Sequence, residues 1–189
     1  MVQFTTVTTT LLALAGIVAA MPAPSAEKPA LEGIPVGAAD GIYLGSLKAD
    51  GSTQWDFIGP DSSTTPSSGL LVDDDSDSPV LAKRDGVTCS GFGVNADDAN
   101  RAQGKLADMC GGGYYFNSRS IAQVSGGAVA YACNYGNGQT CHSGDVWSFF
   151  AQVNSKCGFT NGASAGAGWY SVNSWKAAYG RTTTGSGFC

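Results

Sequence analysis

Residues 85–189 predict an α+β fold: a compact, disulfide-bonded sandwich in which an antiparallel sheet carries two helices on one face. Its expected order is β-α-β-β-α-β, the split β-α-β type. Three observations predict it. The apolar pattern along these 105 residues switches between period two and period 3.6. All six cysteines fall within them, and none of the seven prolines lies beyond residue 84. The composition changes abruptly at Lys83-Arg84, which marks 85–189 as a unit of its own.

The elements follow in order. Gly86-Val87-Thr88-Cys89-Ser90 reads as a short strand. Asn95 then offers a side-chain oxygen to the first free amides of a helix, with Asp97 and Asp98 in the first turn, where carboxylates suit the helix dipole. Ala99, Ala102, Leu106, Met109 and Cys110 fall at helical spacing, and Gly111-Gly112-Gly113 stops the helix. Gly104 inside it costs about 1 kcal/mol against alanine, and the small residues around it suit a helix lying close to a sheet. Tyr114–Val124 and Gly127–Tyr135, rich in aromatic and β-branched residues and joined through Ser125-Gly126-Gly127, read as a hairpin. A second helix is expected with Ser143 as its cap, Asp145 in its first turn and Val146, Phe149, Phe150, Val153 and Cys157 as its apolar stripe. Gly158–Gly168 reads as a glycine-rich loop, and Trp169-Tyr170-Ser171-Val172 as a last strand that Trp175–Tyr179 extends or closes with a helical turn.

The first 84 residues read as delivery. Residues 1–20 carry an apolar run, Leu11–Val18, followed by the small residues Val18-Ala19-Ala20, the pattern of a secretory signal peptide, although the preceding Met1-Val2-Gln3-Phe4 has no basic residue. The run is shorter than the roughly 20 residues that a membrane span needs. Residues 21–84 read as an acidic pro-segment, with ten acidic against four basic residues and the block Asp73-Asp74-Asp75-Ser76-Asp77. Lys83-Arg84 is its expected cleavage site for a dibasic-specific processing protease, releasing 85–189 as the mature domain. Ile42–Gly45 and Gln54–Ile58 are candidate strands that either cover the mature domain until release or form a hairpin without that task.

Export fixes the reading of the cysteines. Six in an exported segment of this size imply three disulfides, and no C-x2-C spacing supports zinc. Neither a metal nor any other cofactor is expected. Residues 85–189 are nearly neutral, five Asp against six scattered Lys and Arg, which excludes the clustered basic face that nucleic acid requires.

Catalysis finds little to stand on. His142 is the only histidine, and Ser143 and Asp145 sit at i+1 and i+3 from it, pointing in different directions at a helix start rather than converging as a triad. A two-carboxylate glycosidase would have to draw on Asp85, Asp97, Asp98, Asp108 and Asp145, several of which are better placed as helix-start residues. The expected activity is binding without turnover.

Aromatic residues point the same way, with fifteen Phe, Tyr and Trp in 85–189. Phe116, Tyr131, Phe149 and Phe150 fit a core by their periodicity. Trp169 and Tyr170 are neighbours that face opposite sides of a strand, so they and Trp175 and Tyr179 are hard to bury together. They either cover the second face of the sheet or form a contact surface, and Trp169, Tyr170, Trp175 and Lys176 are the candidate contact residues.

With the elements in this order, Val87-Thr88-Cys89-Ser90-Gly91, Ala122-Gln123-Val124-Ser125-Gly126 at the hairpin turn, Ala130-Tyr131, Cys141-His142-Ser143-Gly144, Cys157 and the last residue, Cys189, resemble small secreted cysteine-rich fungal proteins. The segment is similar to the smut-fungus killer-toxin family, with the fungal necrosis-inducing secreted effectors as a related alternative. That resemblance implies a secreted toxin or virulence factor acting on cells of a host or competitor, through a cell-surface protein or glycan. It implies Cys89–Cys157 as one disulfide, and leaves three pairings open for Cys110, Cys133, Cys141 and Cys189. Gln123 stands at the turn position where the toxin has a functionally implicated lysine, and six cysteines are fewer than that toxin has, so its channel-blocking mechanism is not carried over. A secreted cell-wall carbohydrate-binding protein is the alternative function.

Overall fold

A computed structural model describes residues 30–60 and 85–189. The expected signal peptide and Lys83-Arg84 lie outside the described residues. Within them, strands β1 (Gly41–Leu47), β2 (Thr53–Gly59) and β3 (Gly86–Asn95) precede helix α1 (Ala96–Cys110). Then come β4 (Tyr114–Phe116), β5 (Ser120–Ser125), β6 (Ala128–Asn134), β7 (Gln139–Cys141) and helix α2 (Ser143–Cys157). Strands β8 (Phe159–Thr160), β9 (Ser164–Val172) and β10 (Ala177–Thr183) complete the chain.

One antiparallel sheet runs β2-β1-β5-β6-β10-β9-β3, with β8 added on β9, and β4 and β7 form a separate pair. β3 and β5, joined by α1, run in the same direction with three strands between them; β6 and β9, joined by α2, do likewise with β10 between them. Both helices pack on one face. There Leu106, Val146 and Phe150 meet Ile121, Ala130, Ala132, Ala177 and Tyr179. The alternate residues Ala122, Val124, Val129, Tyr131, Cys133 and Ala178 line the other face.

The residues that close this second face come from both ends of the chain. Phe188 stacks on Tyr131 at 4.3 Å, and Ile34 and Tyr43, from the expected pro-segment, are buried beside it. The two candidate strands of that segment form the β1–β2 hairpin, and β1 pairs with β5 from Gly41↔Val124 to Gly45↔Ser120. Leu31 and Phe188 exchange both backbone hydrogen bonds. Burying Leu31, Ile34 and Tyr43 supplies about 1.5–3 kcal/mol each, so this stretch is built into the same core as residues 85–189.

The structure departs from the expected elements at four places. Tyr114–Val124 is not one strand: β4 pairs with β7, and β5 begins only at Ser120. Ser143 is the first residue of α2 and His142 takes the cap position, without a side-chain cap bond, whereas Asn95 does cap α1 by accepting from the Asp98 amide at 3.0 Å. Trp175–Tyr179 neither extends β9 nor turns into helix: Trp175 and Lys176, the latter at φ 53°, end the turn, and Ala177–Tyr179 open β10.

The fourth departure is the glycine-rich stretch, which is β8 and half of β9. Its glycines answer a close approach. A Cβ on Gly166 would stand 2.0 Å from the Cys157 carbonyl oxygen, and one on Gly168 2.5 Å from the Thr88 oxygen and 2.9 Å from the Cys157 Sγ. The Cys89–Cys157 disulfide thus lies directly on β9. Cys110–Cys141 ties the end of α1 to the end of β7, just before α2, and Cys133–Cys189 ties β6 to the last residue.

Candidate binding surface

The β9–β10 turn and the flank of α2 bring three rings together. Phe149 projects from α2, half-buried, and Tyr170 of β9 stacks on it at 4.8 Å with planes 12° apart. Trp175, in the turn, meets Phe149 edge-on at 5.9 Å and is 45% exposed. Tyr179 lies beneath, 5.0 Å from Phe149 and fully buried. Its hydroxyl makes no hydrogen bond, and burial first, then the Asp145 carboxylate, pushes its pKa well above the phenol range. A buried, undissociated phenol is thus the floor of an exposed aromatic surface.

Polar groups frame that surface. The Gln139 side-chain amide donates to the Trp175 carbonyl, which fixes the turn against β7. Beside Gln139, the hydroxyl of the exposed Tyr115 lies over Gly138, where a Cβ would stand 2.2 Å from it. On the other side, Tyr170 borders an open depression of about 330 Å³ with Asp85, Gln152, Ser155 and Lys156. Asp85 accepts from the Asn173 amide at 2.7 Å, and Lys156 Nζ donates to the Val87 carbonyl at 2.9 Å, so β3, α2 and the turn are braced around it.

The four expected contact residues therefore divide between faces. Tyr170 and Trp175 share this side, while the exposed Lys176, next in the turn, lays its stem beside Gly136. Trp169, its neighbour's opposite, packs half-buried against the second face with Tyr131 and Phe188. Phe149, expected in the core, is the ring that joins Tyr170 to Trp175. Its adjacency to Phe150 was the available signal, because side chains one residue apart on a helix point about 100° away from each other. Tyr115 and Gln139 gave no such signal, since the contact that places them is between β7 and a distant turn. Gln123 lies within β5, before the turn, and is 1% exposed, so it offers no surface.

Two of the residues weighed for catalysis, His142 and Asp98, hold neighbouring segments together. His142 Nδ1 is 2.9 Å from the Gly112 carbonyl, which accepts from the ring N–H, and joins the loop after α1 to the start of α2. Asp98 pairs with Arg101 and accepts from the Gly127 amide. Arg181 is the notable buried charge. Its guanidinium donates to Gly166 O at 2.8 Å, Gly158 O at 3.3 Å and Asn154 Oδ1, and desolvation lowers its pKa to about 10. It clamps β9 and β10 to the end of α2. Among the described residues no group of three or more His, Cys, Asp or Glu is placed to hold a metal ion, and no helix is long and apolar enough to cross a membrane.

Comparison with protein families, with curated proteins and with solved structures returned no match for this chain.

Proposed function

We propose that the chain is an exported fungal effector or killer-toxin-like protein that acts by binding at the surface of host or competitor cells. Its partner is a cell-surface protein or glycan. The observation that carries this reading is the exposed Phe149/Tyr170/Trp175 surface, braced by hydrogen bonds and bordered by Lys156, Gln152 and Gln139. Aromatic rings held rigid beside amides and a cation are what an interface core uses to anchor a partner at little entropic cost. Export is supported by the apolar run at 11–18 and by three disulfides. In this reading the helical crossovers are of the split β-α-β type, and Lys83-Arg84 is cut by a processing protease.

A second reading, a secreted cell-wall carbohydrate-binding protein, is favoured by the depression beside Tyr170. Half-exposed rings next to hydrogen-bonding side chains suit the apolar face and hydroxyl rim of a sugar. Pull-down on chitin and β-glucan distinguishes the two readings. Polysaccharide retention lost in Trp175→Ala favours wall binding; retention absent, with Trp175-dependent binding to intact cells stripped of polysaccharide, favours the effector.

A further inference from the structure

The expected cleavage at Lys83-Arg84 would cut the chain between β2 and β3, yet the hairpin upstream of it belongs to the same sheet. Without that hairpin the sheet would end on β5, Ser120-Ile121-Ala122-Gln123-Val124-Ser125, a strand with no charge and all six residues buried. With it, the sheet ends on β2, which exposes Gln54 and Asp56 beside Phe57 and Ile58, so a charge stands on the outer edge where β5 has none. β1 also serves both layers: Tyr43 packs on the second face and Leu44 against the helix face. The Gly185 amide donates to Ile34 O and the Gly126 amide to Asp40 Oδ1 at 2.8 Å, so the segment also holds the C-terminal tail and the β5–β6 turn. Trp55 covers Phe188 at 5.2 Å, with its indole N–H donating to Glu32 O.

We propose that the β5 edge and the Val124/Tyr131/Phe188 face form a strand-acceptor site, occupied in the processed protein by the chain's own residues 30–60, which stay seated after cleavage. All three disulfides lie within 85–189, so the processed protein is two chains joined without a covalent bond. The cut then opens the covalent link between β2 and β3 without expelling the hairpin. The inference stands apart from which target the aromatic surface binds.

The test cuts the purified full chain with a protease specific for Lys-Arg and passes the product through gel filtration, with and without denaturant. Mass spectrometry identifies the chains in each peak. The expected result is one native peak holding both fragments in equal amounts, which separate only in denaturant. A Tyr43→Ala chain, cut in the same way, loses its fragment at least tenfold faster to a labelled 30–60 peptide. Should that variant fail to fold, exchange of the unaltered cut protein with the labelled peptide gives the same readout, slow over hours. Three results overturn the proposal: a chain that resists the cut, a fragment that elutes apart from monomeric 85–189, or an 85–189 product that pairs with a second copy in place of the fragment.

Discussion

Trp175 and Gly168 show how differently two positions only seven residues apart bear on the molecule. Trp175 is half in solvent and touches Phe149 by an edge, so Trp175→Ala should cost only about 1 kcal/mol in thermal denaturation while removing most of the target binding. Gly168 is buried within β9. Its missing Cβ leaves room for Thr88 O and the Cys157 sulfur, so Gly168→Ala should destabilise by about 3 kcal/mol, read as a lower urea midpoint. An unchanged midpoint would mean that the disulfide does not lie on the strand as described. This position also shows what the sequence withheld. A run such as Gly158–Gly168 reads as loop because glycine adds no side-chain packing to a strand. Only the neighbour that needs the space, a cysteine bridge 68 residues across in sequence, makes it a strand.

The two helices and most of the core strands were legible because each buries a local stripe: the Asn95 cap, the Ala99/Ala102/Leu106 face and the Val146/Phe150/Val153 face all lie within single elements. The edges of the sheet were less legible, since what covers β5 comes from residues 30–60 and what covers Tyr131 comes from Phe188. Periodicity marked Ile42–Gly45 and Gln54–Ile58 as strands but not their partner. In the uncut chain, Ile34→Ala should cost about 2–5 kcal/mol by the cavity it leaves between Tyr43 and Phe188, measured by chemical denaturation. A shift below about 0.5 kcal/mol would show that the hairpin is a loose addition. Cys133→Ser with Cys189→Ser should cost a similar about 2–5 kcal/mol, because it frees the tail that Leu31 and Arg119 hold.

For the molecule as a whole, burial of its phenols sets the alkaline limit. Tyr43, Tyr114, Tyr131, Tyr135 and Tyr179 all have pKa values raised above 10.0, in each case chiefly by desolvation. Above pH 10 the unfolded chain gives up these protons before the folded one does, so the stability they lend is complete below that pH and is lost as pH rises. Arg181, lowered to about 10 from 12.5, works in the opposite direction across that interval but is one group against five. The urea midpoint should therefore fall between about pH 9 and pH 11; a flat profile would contradict the burial of these rings. In the proposed role, this fold presents the Phe149/Tyr170/Trp175 surface to a target on another cell. The most direct measurement applies the oxidised, processed protein to plant tissue and to competing fungal cells, recording ion leakage and growth, beside its Trp175→Ala variant and a reduced, alkylated control. The expected result is damage by the oxidised protein alone, abolished in the variant while its circular dichroism is unchanged. Equal damage by the variant, or none by the oxidised protein on either cell type, would contradict it.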